Sequence, residues 1–289
     1  MTFSDREVKR MEIESIFDVF AQKAESQAKE HPEDYIGEDG LKRCGVCHGK
    51  KQYRGTVLGR EIVVTCICQC RVKELEAEER RREMQKMQKT IDLNRRMGFP
   101  ESDMENWTFA QDDGAHPGIM RAMKIYVDNF AELSRQGKGL LLYGDVGTGK
   151  TFAAACVANA LIDAGYPCLM TNFARVLNTL WGTEKKQDYM DKLNSFRLLV
   201  LDDLGAERRS EYSQEQVFNV IDARYRAKLP LIITTNLDMD EIKNPKDITN
   251  ARIYDRVLEM CHPIKVTGQN RRRQKIREGF HDLNKLFEL

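Results

Sequence analysis

The sequence predicts an α/β protein in which helices cover both faces of a parallel sheet, preceded by a small helical and cysteine-rich N-terminal module. A phosphate-binding loop pattern ends an apolar run at Gly144–Thr151, and an Ala-rich helical stretch follows it. Beyond this loop, short apolar runs alternate with helical stretches, which is typical of a parallel sheet with crossover helices. Five cysteines crowd between positions 44 and 70 of the 289-residue chain.

The loop matches the pattern G-x-x-x-x-G-K-[ST] in full. In such loops the backbone N–H groups surround phosphate oxygens, and the following helix points the positive end of its dipole at them. Lys150 is expected to contact the β- and γ-phosphates, and the Thr151 hydroxyl to bind Mg²⁺. A chance glycine turn would leave the strand and helix context unexplained. The sequence therefore predicts ATP binding by Gly144, Asp145, Val146, Gly147, Thr148, Gly149, Lys150 and Thr151.

Composition narrows the class of protein. The 46 basic and 45 acidic side chains leave a net charge of +1, so nucleic-acid binding would have to come from local patches. No apolar run is long enough to cross a bilayer, and Met1–Glu7 has no signal-peptide core, so we expect a cytoplasmic protein without a membrane partner. Without an export signal, the clustered cysteines are expected to bind a metal rather than form disulfides.

Residues 1–35 are predicted to form an N-terminal helix that ends near His31–Pro32. Its apolar side chains recur at helical spacing on one face, and they are Ile13, Ile16, Phe17, Phe20 and Ala24. Periodicity alone suits two roles equally. This face either packs on the protein itself or docks in a groove of a partner.

Residues 36–72 are predicted to form a zinc ribbon. A C-x-x-C pair, a stretch with hairpin character at Tyr53–Val64 and a C-x-C-x-C run offer two tight turns that each supply two thiolates. The second turn has one cysteine too many. Strand alternation places Cys66 at the end of the hairpin, so we expect Zn²⁺ to be bound by Cys44, Cys47, Cys68 and Cys70. Cys66 remains an alternate ligand and His48 a weaker substitute, and the site is expected to be structural.

Residues 73–98 are predicted to be a charged helical linker. Arg71–Met97 is rich in charge, and the spacing of Glu76 with Arg80 and Glu78 with Arg82 supports an exposed helix. Gly98-Phe99-Pro100 ends this helix, which places the start of an ATPase domain at residue 99 and extends it to residue 289.

Two predicted strands of this domain end in polar residues. Arg197–Asp203 ends in Asp202 and Asp203, and Leu229–Asn236 ends in Asn236. Ligands bind at the carboxyl ends of such strands. We expect Asp202 to hold Mg²⁺, Asp203 to orient and deprotonate the attacking water, and Asn236 to position that water or sense the γ-phosphate.

The remaining elements complete the alternation. Helices are predicted at Gly118–Ser134, Phe173–Trp181, Glu211–Lys228 and Asp247–Cys261, and further strands at Pro167–Thr171 and His262–Thr267. Arg252 and Arg256 share a face of the last helix. They are either surface arginines paired with Asp255 or Glu259, which the helix alone favours, or candidates for an arginine finger that acts on a neighbouring subunit. The basic stretch at residues 270–277 is suited to contact phosphates of nucleotide or DNA.

Four of these blocks resemble the AAA+ replicative helicase loaders of the DnaC and DnaI type and the related transposition ATPase IstB. The blocks are Gly144–Thr151, Leu199–Gly205, Ile232–Asn236 and Arg252–Arg256, and the resemblance covers roughly Gly98–Arg273. It implies a slow ATPase, stimulated by its partner or by DNA. Such a protein would assemble with copies of itself, engage a hexameric replicative helicase and deliver it onto single-stranded DNA.

The resemblance also implies roles for residues. Arg256 matches the finger arginine, and one of Arg271, Arg272 and Arg273 matches an arginine that senses nucleotide within its own subunit. Loaders of this family contact the helicase through their N-terminal region, which favours Ile13, Phe17 and Phe20 as a docking face. Two alternatives stay open. One is a transposition helper that binds duplex DNA and recruits a transposase, which the cysteine cluster counts against. The other is a nucleotide-switched adaptor with little turnover.

Overall fold

The computed structural model of the chain describes residues 22–57, 59–100, 103–206, 210–271, 273 and 287. The chain divides into two compact units, Met1–Lys86 and Met87–Leu289. The division falls within the charged helix that the sequence suggests as a linker.

The described part of the first unit contains two antiparallel strand pairs. Strands β1 (Tyr35–Ile36) and β2 (Lys42–Arg43) form the first pair, and β3 (Gln52–Val57) and β4 (Arg60–Thr65) form a hairpin. Gln52 lies opposite Thr65 at the open end of this hairpin, which confirms the hairpin predicted at Tyr53–Val64. The register brings the segments before β3 and after β4 together, and these are the two segments that carry the clustered cysteines.

Helix α1 (Gln69–Gly98) begins in the first unit and ends in the second. Charge covers most of its surface, and the expected pair of Glu76 with Arg80 forms at 3.9 Å. Glu78, in contrast, accepts from Arg71 at 3.5 Å. The last turns of α1 are fixed in the second unit, where Asn94 Nδ2 donates to the carbonyl of Gly165 at 3.1 Å. The predicted helix therefore exists, and exposed pairs of this kind contribute only a few tenths of a kcal/mol each.

The second unit is built on a five-stranded parallel sheet. Its strands are β5 (Gly139–Tyr143), β6 (Cys168–Asn172), β7 (Leu198–Leu204), β8 (Leu231–Thr235) and β9 (Cys261–Lys265), in the spatial order β6-β7-β8-β5-β9. Side chains of β5 to β8 are almost all buried, as expected when helices cover both faces of a parallel sheet. The predicted α/β class is therefore confirmed.

Helices pack on both faces because successive side chains of a strand point in opposite directions. Leu141 of β5 belongs to one core with residues of α5 (Phe173–Gly182), α6 (Lys186–Ser195), α7 (Glu211–Arg226) and α9 (Ile248–Met260). Leu140 and Leu142 belong to the opposite core with residues of α2 (Pro117–Asp128), α3 (Phe130–Arg135) and α4 (Lys150–Asp163). The sheet thus separates two apolar layers.

Some elements differ from the prediction. The helix predicted at Gly118–Ser134 divides at Asn129, whose Nδ2 donates to the carbonyl of Ile125 at 2.8 Å and competes with the helical pattern. Helices α6 and α8 (Met239–Lys243) were not predicted. Their apolar residues are few, and α8 depends on a capping box between Asp238 and Glu241.

Arg224 holds the end of α7 to the sheet. Its side chain is fully buried, and it donates to the carbonyls of Phe196 at 2.8 Å and Pro230 at 2.7 Å. Burial lowers the pKa of this guanidinium to about 9. The cation therefore ties together the backbone at the starts of β7 and β8.

Among the residues that the structure describes, no helix is both long enough and apolar enough to span a bilayer.

Candidate functional site

The phosphate loop joins β5 to α4, and its glycines have conformations that other residues adopt at a cost. Gly144, Gly147 and Gly149 have φ values of 133°, 81° and 96°. A Cβ on Gly144 would lie 2.4 Å from the carbonyl oxygen of Val266, the residue that follows β9. Glycine is thus required both by the backbone angle and by this close approach. The loop ends where α4 begins at Lys150, so the N-terminus of that helix faces the loop.

Lys150 is 5% exposed, and its ammonium group contacts both the loop and the neighbouring strand. Nζ donates to the carbonyls of Gly144 at 2.8 Å and Asp145 at 2.7 Å, and to Oδ1 of Asn236 at 2.8 Å. The sheet order explains the last contact, because β5 and β8 are neighbours and both end at this edge. The structure therefore brings the predicted phosphate-binding lysine and the predicted water-positioning asparagine together.

Asp202 and Thr151, which are predicted to bind Mg²⁺, contact each other. Thr151 Oγ1 donates to Asp202 Oδ1 at 3.0 Å, and Thr234 Oγ1 donates to the same oxygen at 2.5 Å. Asp202 is 8% exposed, and burial raises the pKa of its carboxyl group, an effect that the negative charge of Asp203 adds to and the two hydroxyl donors oppose. A hydroxyl and a carboxylate so close together are the oxygen donors that Mg²⁺ prefers, so these residues fit the ion.

Asp202 also lines a cavity of about 360 Å³, together with residues at the end of β6 and on α5, among them Thr171, Asn172 and Arg175.

Asp203 follows directly and has a different environment. Its φ of 59° is left-handed, and the register between β7 and β8 shifts between Leu201 and Leu204. Its backbone N–H donates to Thr234 Oγ1 at 3.0 Å, while its side chain is exposed. Aspartate is one of the few residues other than glycine that tolerate this conformation. The irregularity therefore separates a buried carboxylate, suited to a metal ion, from an exposed one that water can reach.

The segment after β9 returns to the phosphate loop. The backbone N–H of Arg271 donates to the carbonyl of Gly147 at 3.0 Å, and its guanidinium forms an ion pair with Asp113. A Cβ on Gly147 would lie 2.3 Å from Asn270 Oδ1. Arg273 is exposed and donates its backbone N–H to Asn270, while Arg272 lies outside the described residues. Of the described candidates for a sensor arginine, Arg271 is the one on the loop.

Arg256 contacts helix α7 rather than the partners expected from its own helix. Its Nε donates to Asp222 Oδ1 at 2.6 Å, and its guanidinium carbon lies 5.1 Å from the ring centroid of Phe218 and 5.0 Å from that of Tyr225. Glu259, one of the expected partners, instead accepts from the Tyr225 hydroxyl at 2.8 Å. The sequence does not indicate Asp222 as a partner, because α7 and α9 become neighbours only in the folded protein.

The first unit contains a four-cysteine cluster. The Sγ atoms of Cys44, Cys47, Cys68 and Cys70 all lie within 4.8 Å of one another. Cys66 lies apart and donates to the carbonyl of Lys50 at 3.5 Å. Four thiolates at the ends of two turns suit tetrahedral Zn²⁺.

His48, the substitute considered from the sequence, is engaged elsewhere, since its Nδ1 lies 3.3 Å from the Tyr35 hydroxyl. The remaining cysteines, Cys156, Cys168 and Cys261, are buried in the second unit. Burial raises the pKa of all three thiols to about 12, as expected for inert core residues. The candidate docking residues Ile13, Phe17 and Phe20 lie outside the described residues.

The chain is similar to known proteins of one family. The model for "IstB-like ATP binding protein" matches residues 69–279. The chain is 30% identical over 208 residues to the replicative helicase loader DnaI of Bacillus subtilis (strain 168), and the alignment covers 66% of each protein. It is 27% identical over 145 residues to the replicative helicase loader DnaC of Buchnera aphidicola subsp. Acyrthosiphon pisum, covering 48% of this chain and 56% of that protein.

A crystal structure of DnaI aligns with a TM-score of 0.47 at 27% identity, covering 62% of this chain and 92% of the other. The matched segments thus span 66% of the length of DnaI and 56% of that of DnaC. The family match includes the phosphate loop, both carboxylates, Asn236 and Arg256, and it covers most of the chain. The chain belongs to the IstB-like ATP-binding protein family, as an AAA+ protein with a phosphate loop, and its relatives include the replicative helicase loaders DnaI and DnaC.

Proposed function

We propose that the protein is an ATP-dependent loader of a replicative DNA helicase onto single-stranded DNA during the initiation of replication. The observation that carries this proposal is the 30% identity to a replicative helicase loader over 208 residues. The complete phosphate loop, the Thr151–Asp202 pair and Asn236 support ATP binding and hydrolysis in the same chain.

Each residue of the site has a role in the proposed hydrolysis. Thr151 and Asp202 would hold Mg²⁺, which supplies positive charge that neutralises the phosphates. Asp203, exposed to solvent, accepts the proton of the attacking water as the bond between the β–γ bridging oxygen and the γ-phosphorus breaks, which yields ADP and phosphate. Asn236, at the end of the adjacent strand, orients that water or the γ-phosphate.

Self-assembly completes this site with a group from a second copy. We assign that role to Arg256, whose guanidinium would stabilise charge on the neighbour's γ-phosphate in the transition state. Arg271, held on the loop of its own subunit, is suited to sense the bound nucleotide.

The cysteine cluster is proposed to bind one structural Zn²⁺ ion and to fix the hairpin of the first unit. The N-terminal segment with Ile13, Phe17 and Phe20 is proposed to dock on the hexameric helicase. Metal would thus order the module that neighbours the docking segment in the chain, while nucleotide acts in the second unit.

A second candidate is a transposition helper, because the matching family model is the IstB-like one. Such a protein would bind duplex DNA and recruit a transposase. The two candidates differ in their partner rather than in their nucleotide chemistry.

Co-purification with the replicative helicase of the host, with and without ATP, tests the proposal. We expect the two proteins to form a complex and, in the presence of ATP, the helicase to be transferred to circular single-stranded DNA. Lys150→Ala protein serves as the control, with transfer lost. A protein that leaves the helicase unbound but coats duplex DNA in the presence of ATP would support the transposition helper instead.

A further inference from the structure

Helices α7 and α9 carry a cluster of arginine and aromatic side chains around Asp222. Arg252 and Arg256, one turn apart on α9, both lie over the Phe218 ring of α7, with guanidinium carbons 4.4 Å and 5.1 Å from its centroid. The Tyr225 ring lies 5.0 Å from the guanidinium carbon of Arg256. Such contacts of a cation with a ring face fix the plane of the guanidinium as well as its position.

Asp222 is the buried acidic group of this cluster. It is 8% exposed, and each of its carboxylate oxygens contacts the Nε atom of one arginine. Oδ1 lies 2.6 Å from Nε of Arg256, and Oδ2 lies 2.7 Å from Nε of Arg226. The two partners differ in exposure, since the side chain of Arg256 is 28% exposed and that of Arg226 is 75% exposed. A buried carboxylate remains charged only where it is paired with a cation. The more buried of the two ion pairs is the one with Arg256, so it stabilises the charge of Asp222 more than the exposed pair with Arg226 does.

Asp222 accepts from Nε of Arg256, which leaves the two terminal nitrogens of the guanidinium for other contacts. A guanidinium has five N–H donors, of which Nε carries one and the two terminal nitrogens carry four. Because Asp222 accepts from Nε, the terminal nitrogens keep the forked arrangement that matches phosphate oxygens. Tyr225 is held in turn, since its hydroxyl donates to Glu259 at 2.8 Å.

We propose that Asp222 is a positioning residue that holds Arg256 ready to bind the phosphate of a nucleotide in a second copy of this chain. The inference rests on the trans role proposed for Arg256. It adds that the finger is aligned by its own subunit, through one ion pair and two rings, before the second copy arrives. Preorganised charge of this kind accelerates a reaction because no free energy is spent on ordering it in the transition state.

Mixtures of inactive variants test the idea. A Lys150→Ala subunit has no working nucleotide site but offers its Arg256, whereas an Arg256→Ala subunit has a site but no finger. ATP hydrolysis should return when the two are mixed, and this first mixture tests the trans role by itself. In a second mixture, the Lys150→Ala subunit also carries Asp222→Asn, and we expect hydrolysis to be lower by ~10- to 100-fold, as for a misplaced catalytic group.

Two controls separate positioning from folding. Asp222→Asn alone keeps its own site, so mixing it with Lys150→Ala, which offers an intact finger, should restore hydrolysis. Arg226→Ala combined with Lys150→Ala removes the exposed partner of Asp222 and should complement as well as Lys150→Ala does. Light scattering establishes that mixed oligomers form in every case.

Equal activity in the first and second mixtures would show that Arg256 acts without Asp222, and the inference would be wrong while the trans role stood. Higher activity in the second mixture would also overturn it, because Asp222 would then restrain the finger. An inactive first mixture, with mixed oligomers present, would refute the trans role and the inference with it.

Discussion

Two consecutive aspartates acquire different chemistry from one local irregularity. Asp202 continues the strand and is buried against Thr151 and Thr234, whereas the left-handed Asp203 is turned out of the ladder and exposed. The sequence identified both carboxylates and assigned one to the metal ion and one to water. It could not indicate the backbone irregularity that separates them, because the shift depends on pairing with Thr234, 31 residues further along the chain.

Replacing Lys150 with alanine should abolish ATP binding or hydrolysis while leaving the fold intact. Lys150 is the cation that the phosphate loop itself provides, and it contacts loop and strand together. Fluorescent-ATP titration and phosphate release measure the loss, and circular dichroism checks the fold. Lys192→Ala, on the exposed side of α6, is the matched control. Undiminished hydrolysis by Lys150→Ala would disprove the assignment of the loop.

Replacing Asp202 with asparagine should stabilise the protein yet remove Mg²⁺-dependent hydrolysis. Burial disfavours the charged carboxylate and so raises its pKa, and asparagine keeps an oxygen acceptor for the hydroxyls of Thr151 and Thr234. We expect a gain of about 1 kcal/mol, equivalent to ~2–4 °C in melting temperature. Thermal melts in EDTA and phosphate-release assays measure the two effects.

The gain should depend on pH with a definite sign. The folded-state pKa of Asp202 lies above its unfolded value, so the native state binds a proton more readily. The free-energy cost of burying the charged carboxylate therefore grows as the pH rises from the unfolded-state pKa to the folded-state pKa. Once the pH exceeds the folded-state pKa, the penalty is complete and the asparagine variant has its full advantage. Below the unfolded value, 3.8, wild type is neutral too and the advantage vanishes. An advantage that persists unchanged at low pH would rule out charge burial as its cause.

Among the helices and strands, the sequence predicts correctly those whose hydrophobic periodicity and terminal residues indicate the same boundaries. The apolar run at Leu198–Leu204 and the hairpin at Gln52–Thr65 appear close to where they were expected. The short helices α6 and α8 were missed because their stability comes from packing and a capping box rather than from an apolar stripe. Arg224 at the end of α7 resembles a surface residue in the sequence, and only the fold shows that it is buried among backbone carbonyls.

The cysteine cluster predicts about one Zn²⁺ ion per chain, lost on substitution of Cys68 but not of Cys66. The Sγ atoms of Cys68 and Cys70 lie 3.2 Å apart within the cluster, whereas Cys66 contacts the carbonyl of Lys50. Elemental analysis of Cys66→Ala and Cys68→Ala proteins, purified under reducing conditions, makes the comparison. A chelator should unfold residues near 40–70 while the second unit keeps its thermal transition. A wild-type protein without metal would contradict the assignment.

For the molecule as a whole, the sequence predicts a metal-binding N-terminal part and a nucleotide-binding remainder, and the chain divides into two compact units, Met1–Lys86 and Met87–Leu289. Relations across a single helix or loop were accessible from spacing, as with Gly144–Thr151. Relations between distant helices were not, which is why the link from Arg256 to Asp222 emerged only from the fold.

The proposed docking segment provides a test at this scale. Replacing Phe17 and Phe20 with serine should abolish the complex with the replicative helicase and spare ATP hydrolysis, because the changes lie far along the chain from the phosphate loop. Size-exclusion chromatography with the helicase and a phosphate-release assay report the two properties. Gln22→Ala, exposed and just beyond this segment, is a suitable control. Unfolding of the double variant in isolation would instead indicate that these side chains pack on the protein itself.

The contacts of Lys150 have a consequence for what an affinity measurement means. Its ammonium group already donates to two carbonyls and to Asn236, all at 2.7–2.8 Å. An arriving phosphate must therefore exchange with acceptors that are present beforehand, so the apparent dissociation constant reports the difference between two bonded states rather than the strength of either. Because Asn236 directly follows β8, a phosphate that took its place on Lys150 would also release the amide at the end of that strand.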